Sequence, residues 1–311
     1  MIHRRKSFHS TGYLNNDGMV RRHRYFEFDV NNTQIISGQF STLPGQVISV
    51  DWGDGSARST YSGTDQEWSH DYGSAGDYVV RIFGSVALTK FRMVKSGADI
   101  SFDIANLSSG LTFFSCWGSN TATGDIADLP AGLTYFSCGD NNVVTGDLAN
   151  LPSGLTHFGC WGSNTATGDI ADLPAGLTYF ACRGSNTVTG DLANLPSGLT
   201  TFSCDGNNTV AGDIADLPDG ITHLGFVGSN IIADYSGKAW TTKPAIFYLV
   251  PVSPGGLSTA EVDQLLIDLD ADLTWASGDV INLTGANAAR SSASDAAVAN
   301  MVAEGATVTT N

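Results

Sequence analysis

The feature that most constrains this chain is a repeat. Its five cysteines, Cys116, Cys138, Cys160, Cys182 and Cys204, stand 22 residues apart. The Gly-Asp pairs at 124–125, 146–147, 168–169, 190–191 and 212–213 keep the same interval, as do Asn120, Asn142, Asn164, Asn186, Asn208 and Asn230. A doubled period is stronger still: residues 117–160 and 161–204 differ at seven positions, the mark of a duplicated two-repeat unit. Periods of this length belong to stacked coils, each able to bury its apolar face only against its neighbours.

One coil runs Leu129-Pro130-Ala131-Gly132-Leu133-Thr134-Tyr135-Phe136-Ser137-Cys138, turns to Asn142, and continues to Gly146-Asp147-Leu148-Ala149-Asn150. Leu133, Phe136 and Cys138 are predicted to point inward around a short strand, the last two by the two-residue alternation of an extended chain. Asn142 is predicted to open a turn, its amide bonding nearby backbone. Val144 and Leu148 return apolar groups to the interior. Leu133-xx-Phe136-x-Cys138-xxx-Asn142-x-Val144-x-Gly146-x-Leu148 resembles the leucine-rich repeat family, with one extra residue between strand and Asn. The resemblance implies a solenoid over residues 88–240. The cysteines are then a column of small apolar side chains. Parallel side chains in one column are poorly placed for disulfides, and no spacing suits a zinc site.

The flanks differ from the repeat. Tyr25-Phe26-Glu27-Phe28-Asp29-Val30 and Val47-Ile48-Ser49-Val50-Asp51-Trp52 alternate as strands, the second closed by Gly53-Asp54-Gly55-Ser56. With His70-Asp71-Tyr72 and Gly76-Asp77-Tyr78-Val79-Val80, this resembles a PKD-type, immunoglobulin-like module, which implies a β-sandwich over residues 26–87. Leu88-Thr89-Lys90-Phe91-Arg92-Met93 already fits the coil pattern, so the module is expected to run into the first coil as its cap. Asp51 and Asp54 are candidate calcium ligands; turn capping is the competing reading. Over residues 241–311, Ile246–Val250, Val280–Leu283 and 306–309 read as strands. The helices between them begin at the Ser258-Thr259-Ala260-Glu261 capping box and at Ser294. The expected fold class is mainly β, a sandwich followed by a solenoid of 22-residue coils with an α/β C-terminal cap.

Charge is divided. Residues 1–24 carry Arg4, Arg5, Lys6, Arg21, Arg22 and Arg24 against one acid, Asp17, while the chain as a whole is at −16. The acidic body argues against nucleic acid as a partner. The basic segment, residues 1–25, is expected to be an anchoring arm that docks on an acidic partner or neighbouring subunit. No apolar run suits a signal peptide or a membrane span.

No catalytic residues are predicted, because no nucleophile, base or metal motif converges. The Asp column at 125, 147, 169, 191 and 213 reads as turn caps, with calcium along the ladder as the alternative. Three columns are expected to face outward from the strands. One is Phe113, Tyr135, His157, Tyr179, Thr201 and His223. The next is Ser115, Ser137, Gly159, Ala181, Ser203 and Gly225, and the third includes Trp117, Trp161 and Arg183. Aromatic columns beside small residues predict a shallow groove for a glycan or protein, and no cofactor. The whole resembles virion adhesion proteins of tailed phages, and bacterial surface repeat proteins as the alternative. The first resemblance implies partners among other virion subunits, through the arm, and a host-surface glycan or protein. It also implies localisation in the virion. A homo-oligomer is a further expectation.

Overall fold

The computed structural model describes residues 25–94, 99–227, 232–252 and 255–311. The arm residues Arg4, Arg5, Lys6, Arg21, Arg22 and Arg24, and Asn230, lie outside them. The repeat folds as a solenoid built from two columns of parallel strands. In one column Phe113–Trp117, Tyr135–Cys138, His157–Cys160, Tyr179–Cys182, Thr201–Cys204 and His223–Val227 lie side by side, with Cys116, Cys138, Cys160, Cys182 and Cys204 in register. In the other, Thr121–Asp125 and its equivalents pair in the same way.

Each coil closes by local chemistry. Leu133, Phe136, Cys138, Val144 and Leu148 are fully buried. The Phe side chains stack from coil to coil, with centroids 5.5 Å apart for Phe114 and Phe136 and 5.7 Å for Phe136 and Phe158. Such pairs contribute about 1 kcal/mol each beyond area burial. The buried Asn binds two coils together. Asn164 Nδ2 donates to the carbonyls of Cys138 and Trp161, while its Oδ1 accepts from Val144 N at 2.7 Å. Asn142, Asn186 and Asn208 repeat the pattern.

The Asp column caps. Asp125, Asp147, Asp169, Asp191 and Asp213 each accept a hydrogen bond from the backbone N–H two residues on, at the start of a short 3-10 turn. The glycine before each Asp makes room for the preceding coil. Gly168 has φ 115°, and a Cβ there would stand 2.5 Å from Asp147 Oδ1.

The N-terminal strands close the open end of this stack. β1 (Tyr25–Thr42), β2 (Ile48–Asp51), β3 (Ser59–Tyr61) and β4 (Gln66–Phe83) are antiparallel and bonded in the order β3-β2-β4-β1. The free edge of β1 is shared by the first coil. Gln39–Thr42 pairs with β5 (Leu88–Val94) and Asp29–Asn31 with β6 (Asp99–Asp103). An irregularity between Val30 and Ile35, with Asn32 at φ 43°, lets one strand pass from one strand column to the other. Both edges that the first coil would leave open are covered. These pairings do not display the two separately bonded sheets of the expected sandwich; they form one run that continues into the coils.

At the other end Ile246–Val250, Val280–Leu283 and Thr307–Thr310 extend the first column in parallel. Here helices replace the second strand column. α1 (Thr259–Asp272) starts at the capping box of Ser258 and Glu261 and buries Val262, Leu265, Leu266 and Leu269. α2 (Asp295–Glu304) buries Ala297 and Met301 and ends at Gly305, φ 114°.

Candidate functional site

The outward face of the first strand column holds the candidate residues. Register places Lys90, Phe113, Tyr135, His157, Tyr179, Thr201 and His223 in one row. Four rings of that row stack face to face. The centroid separations are 4.1 Å for Phe113 and Tyr135, 4.0 Å for Tyr135 and His157, and 3.9 Å for His157 and Tyr179. Lys90 Nζ closes the near end, 4.7 Å from the Phe113 centroid, while held 2.6 Å from Asp65 Oδ1. Thr201 ends the stack at the far side. Burial between the tyrosines lowers the His157 pKa to about 4, so the imidazole is neutral at physiological pH. Because the rings cover one another, this row offers solvent its ring edges rather than its flat faces.

The flat face comes from Trp161. A Cβ on Gly139 would stand 1.9 Å from Trp161 Cε2, and one on Gly159 would stand 3.0 Å from Cζ3. The indole therefore spreads back across both glycines and remains half-buried. Gly139 faces Trp161 because any larger residue would displace the ring. This also corrects the expectation for the small-residue column: Ser115, Ser137, Ala181 and Ser203 lie on the outward side but are buried beneath neighbouring side chains. Arg183 roofs Ser203 in the same way, its Nε donating to Ser203 Oγ at 2.8 Å and pairing with Asp205 Oδ2 at 3.1 Å.

Phe113, Tyr135, His157, Tyr179, Trp117 and Trp161 come together around a groove of about 610 Å³. Arg183 and His223 do not join it; His223 is exposed, its Nδ1 3.0 Å from Thr222 Oγ1. Lys90, Arg92 and Asp140 line the groove and were not among the expected residues. The first two were within reach, since Lys90-Phe91-Arg92-Met93 fits the coil pattern and extends the outward columns by one strand. Asp140 is exposed and accepts from Gly118 N at 2.8 Å.

A second groove, of about 440 Å³, lies over the N-terminal strands between Ser37, Gly38, Gln39, Glu67, Trp68, Ser69 and Arg92. The two share Arg92. Register explains this. Glu67 stands opposite Gln39, Gln39 opposite Arg92, Arg92 opposite Ser115, and Ser115 opposite Ser137. One row thus crosses from the antiparallel strands into the coils on a single face of the sheet.

Asp51 and Asp54 are engaged in their turn. Asp51 Oδ1 accepts from Gly53 N and Oδ2 lies 3.4 Å from Arg58 Nη2. Asp54 Oδ1 accepts from Ser56 N at 2.9 Å and Oδ2 lies 2.8 Å from His70 Nε2. Burial raises the Asp54 pKa, but the hydrogen bonds of Ser56 and the contact with His70 outweigh it and hold it at about 2. Among the described residues there is no cluster of three metal-ligating side chains. No helix of the described residues is long and apolar enough to cross a membrane.

No protein-family model matches the sequence. No curated protein matches it either. Among solved structures, a plant peptide hormone receptor, RGFR1 in complex with RGF2, is similar in fold, with a TM-score of 0.44 and 16% identity. The likeness covers 73% of this chain, which spans 37% of that receptor chain. At this distance it says nothing about what this chain binds.

Proposed function

We propose that the face carrying the ring stack and Trp161 is a recognition surface, and that the protein is a non-enzymatic adhesion protein. The observation that carries this reading is the asymmetry of each outer strand. Phe136 and Cys138 are fully buried on one side. On the other, Tyr135, His157, Tyr179, Trp117 and Trp161 stay partly exposed around one groove. Large rings held rigidly at a surface give contact area at low entropic cost.

The reading places the protein in the virion of a tailed phage, as a fibre, spike or decoration subunit. It would be held to other subunits by the basic arm and would present this face to a host-surface glycan or protein. The charge contrast between residues 1–24 and the body supports such mounting. So does the column of five free, buried cysteines, which suits assembly in a reducing cytoplasm. A bacterial surface adhesin is the second reading, supported by the repeat architecture alone.

Two measurements test this. Host-surface glycans and proteins arrayed against the wild-type chain and Trp161→Ala are expected to show binding that the substitution removes; binding that survives it would return Trp161 to a structural role. Density or mass-spectrometric detection of the chain in purified virions is expected, and its absence would sink the virion assignment.

A further inference from the structure

The two grooves meet at a cation that no carboxylate of the described residues pairs directly. The Lys90 ammonium is held by Asp65 at 2.6 Å. Arg58, Arg81, Arg183 and Arg290 each have a carboxylate partner. Arg92 has no such direct contact: among the described residues its guanidinium makes no ion pair and no side-chain hydrogen bond, only a longer-range attraction to Asp65, which Lys90 already holds, although it lines both grooves and is half-buried. The nearest acid along its row, Glu67, stands two strands away across Gln39. That is about 10 Å at the spacing of paired strands. A chain at −16 has surplus carboxylates for neutralising a guanidinium it holds for structure alone. Leaving this one open at the centre of a groove is a charge arrangement complementary to a bound anion.

The groove also limits what the anion can be attached to. Each strand beneath it is bonded on both edges, so an extended peptide cannot add itself as a further strand there. The floor is Ser115 and Ser137 rather than an apolar pit that would seat an aliphatic anchor. Besides Lys90, which Asp65 holds, and Asp140, which accepts from Gly118 N, the groove offers the outward face of the Trp161 indole, the ring edges of Tyr135, His157 and Tyr179, and the guanidinium. From Arg92, the strands of Ser115 and Ser137 lead to that of Gly159, over which the indole spreads. This span is about 14 Å, long enough for more than one sugar ring.

We propose that Arg92 makes this face selective for carboxylate-bearing saccharides. A uronate-type carboxylate pairs with the two-pronged guanidinium while a neighbouring sugar ring stacks on Trp161. The inference rests on the recognition reading given above and narrows it to one ligand chemistry. Salt weakens the pairing more than the stacking, so selectivity for acid over neutral sugar falls as ionic strength rises.

The test compares a panel of uronate and sialate oligomers with their methyl esters, which keep every ring and hydroxyl and lose the charge. Titration calorimetry on the full chain is expected to show the acid bound about tenfold more tightly than its ester, equivalent to about 1.4 kcal/mol. Arg92→Gln is expected to bring the acid to the level of the ester, Arg92→Lys to recover part of the difference, and Trp161→Ala to weaken both. Circular dichroism of each variant checks that the fold is intact. Equal binding of acid and ester overturns the inference and leaves the recognition reading standing. Binding of an acidic peptide but of no saccharide does the same. If neither acids nor esters bind, and Trp161→Ala changes nothing on the wider array, both fail.

Discussion

The Asn186 side chain stands between two coils, its Nδ2 donating to the Cys160 carbonyl at 2.8 Å and its Oδ1 accepting from Ala166 N at 2.7 Å. The same amide donates to the Arg183 carbonyl at 2.7 Å within its own coil. One buried side chain thus bonds three backbone groups, of which the Cys160 carbonyl also accepts from Arg183 N at 3.0 Å. Asn186→Ala leaves Ala166 N and the Arg183 carbonyl without this partner, while the Cys160 carbonyl keeps its bond from Arg183 N, and a loss of about 2 kcal/mol is expected. Urea unfolding of the two chains measures it, and an unchanged midpoint would show that water takes over the lost bonds.

The glycines of the chain separate into two kinds. At Gly168 the backbone lies at φ 115° and an added Cβ meets Asp147 Oδ1 at 2.5 Å. Gly168→Ala is expected to cost about 2–3 kcal/mol. At Gly154 nothing lies within 4 Å of the added atom, so Gly154→Ala is expected to stay within about 0.5 kcal/mol of wild type. Thermal melts of the pair are the comparison, and similar losses at both positions would refute the steric account.

Acid sensitivity should come in two stages. The fold keeps His157 neutral down to about pH 4, while the unfolded chain protonates it near 6.5. The unfolded state then holds the extra proton, so the His157 contribution is complete above pH 6.5 and declines as pH falls toward 4. With allowance for partial exposure, the decline is on the order of 1–2 kcal/mol. His157→Phe is expected to keep the ring stack and flatten that part of the profile. Asp54 acts lower. Its folded value of about 2 lies below the ordinary 3.8, so its contribution is present above pH 4 and lost as pH falls through 2. Melting temperatures between pH 7 and 2 for wild type and His157→Phe resolve the stages; parallel curves down to pH 4 would show that His157 does not titrate as described.

The cysteine column should be chemically silent. All five thiols are free and buried, and burial pushes the Cys160 pKa up to about 12. Only the thiolate reacts, so a thiol reagent at pH 8 is expected to label none of them in the folded chain and all five after denaturation. Rapid labelling of even one thiol in the folded state would mean that its coil opens locally.

The coil was legible from residue spacing because Leu133, Phe136, Cys138, Val144 and Leu148 recur at positions that all point inward. So was α1, whose Ser258 and Glu261 announce its start by local chemistry alone. The expected turn role of Asn142 was correct and incomplete: its partners Cys116 and Ala122 belong to the preceding coil, and spacing within one coil cannot name them. The expectation for the small-residue column failed for a similar reason. Ser137 alternates outward, but whether it meets water depends on side chains of other strands such as Trp161. Arg92 was missed because the first coil replaces Tyr-Phe-Ser-Cys with Lys-Phe-Arg-Met, so the column is continuous in space where the sequence motif is broken. The sandwich expectation rested on the PKD-type resemblance of the Asp51–Gly55 turn and the His70–Val80 segment, short motifs that do not fix what bonds to the edges of β1.

The Asn bridge has a consequence for how such a chain changes over generations. The coils of Cys116, Cys138, Cys160 and Cys182 each supply the same carbonyl and N–H to the Asn of the next, so a 44-residue unit copied within them inserts with its buried polar groups already satisfied on both sides. It brings two further strands, about 10 Å of additional face, and a second Trp-bearing coil with it. Reach along a ligand can therefore grow in fixed steps by duplication, while the outward residues drift freely. The seven differences between the two existing copies fit that pattern: none falls on Phe, Cys, the bridging Asn or the Gly-Asp pair.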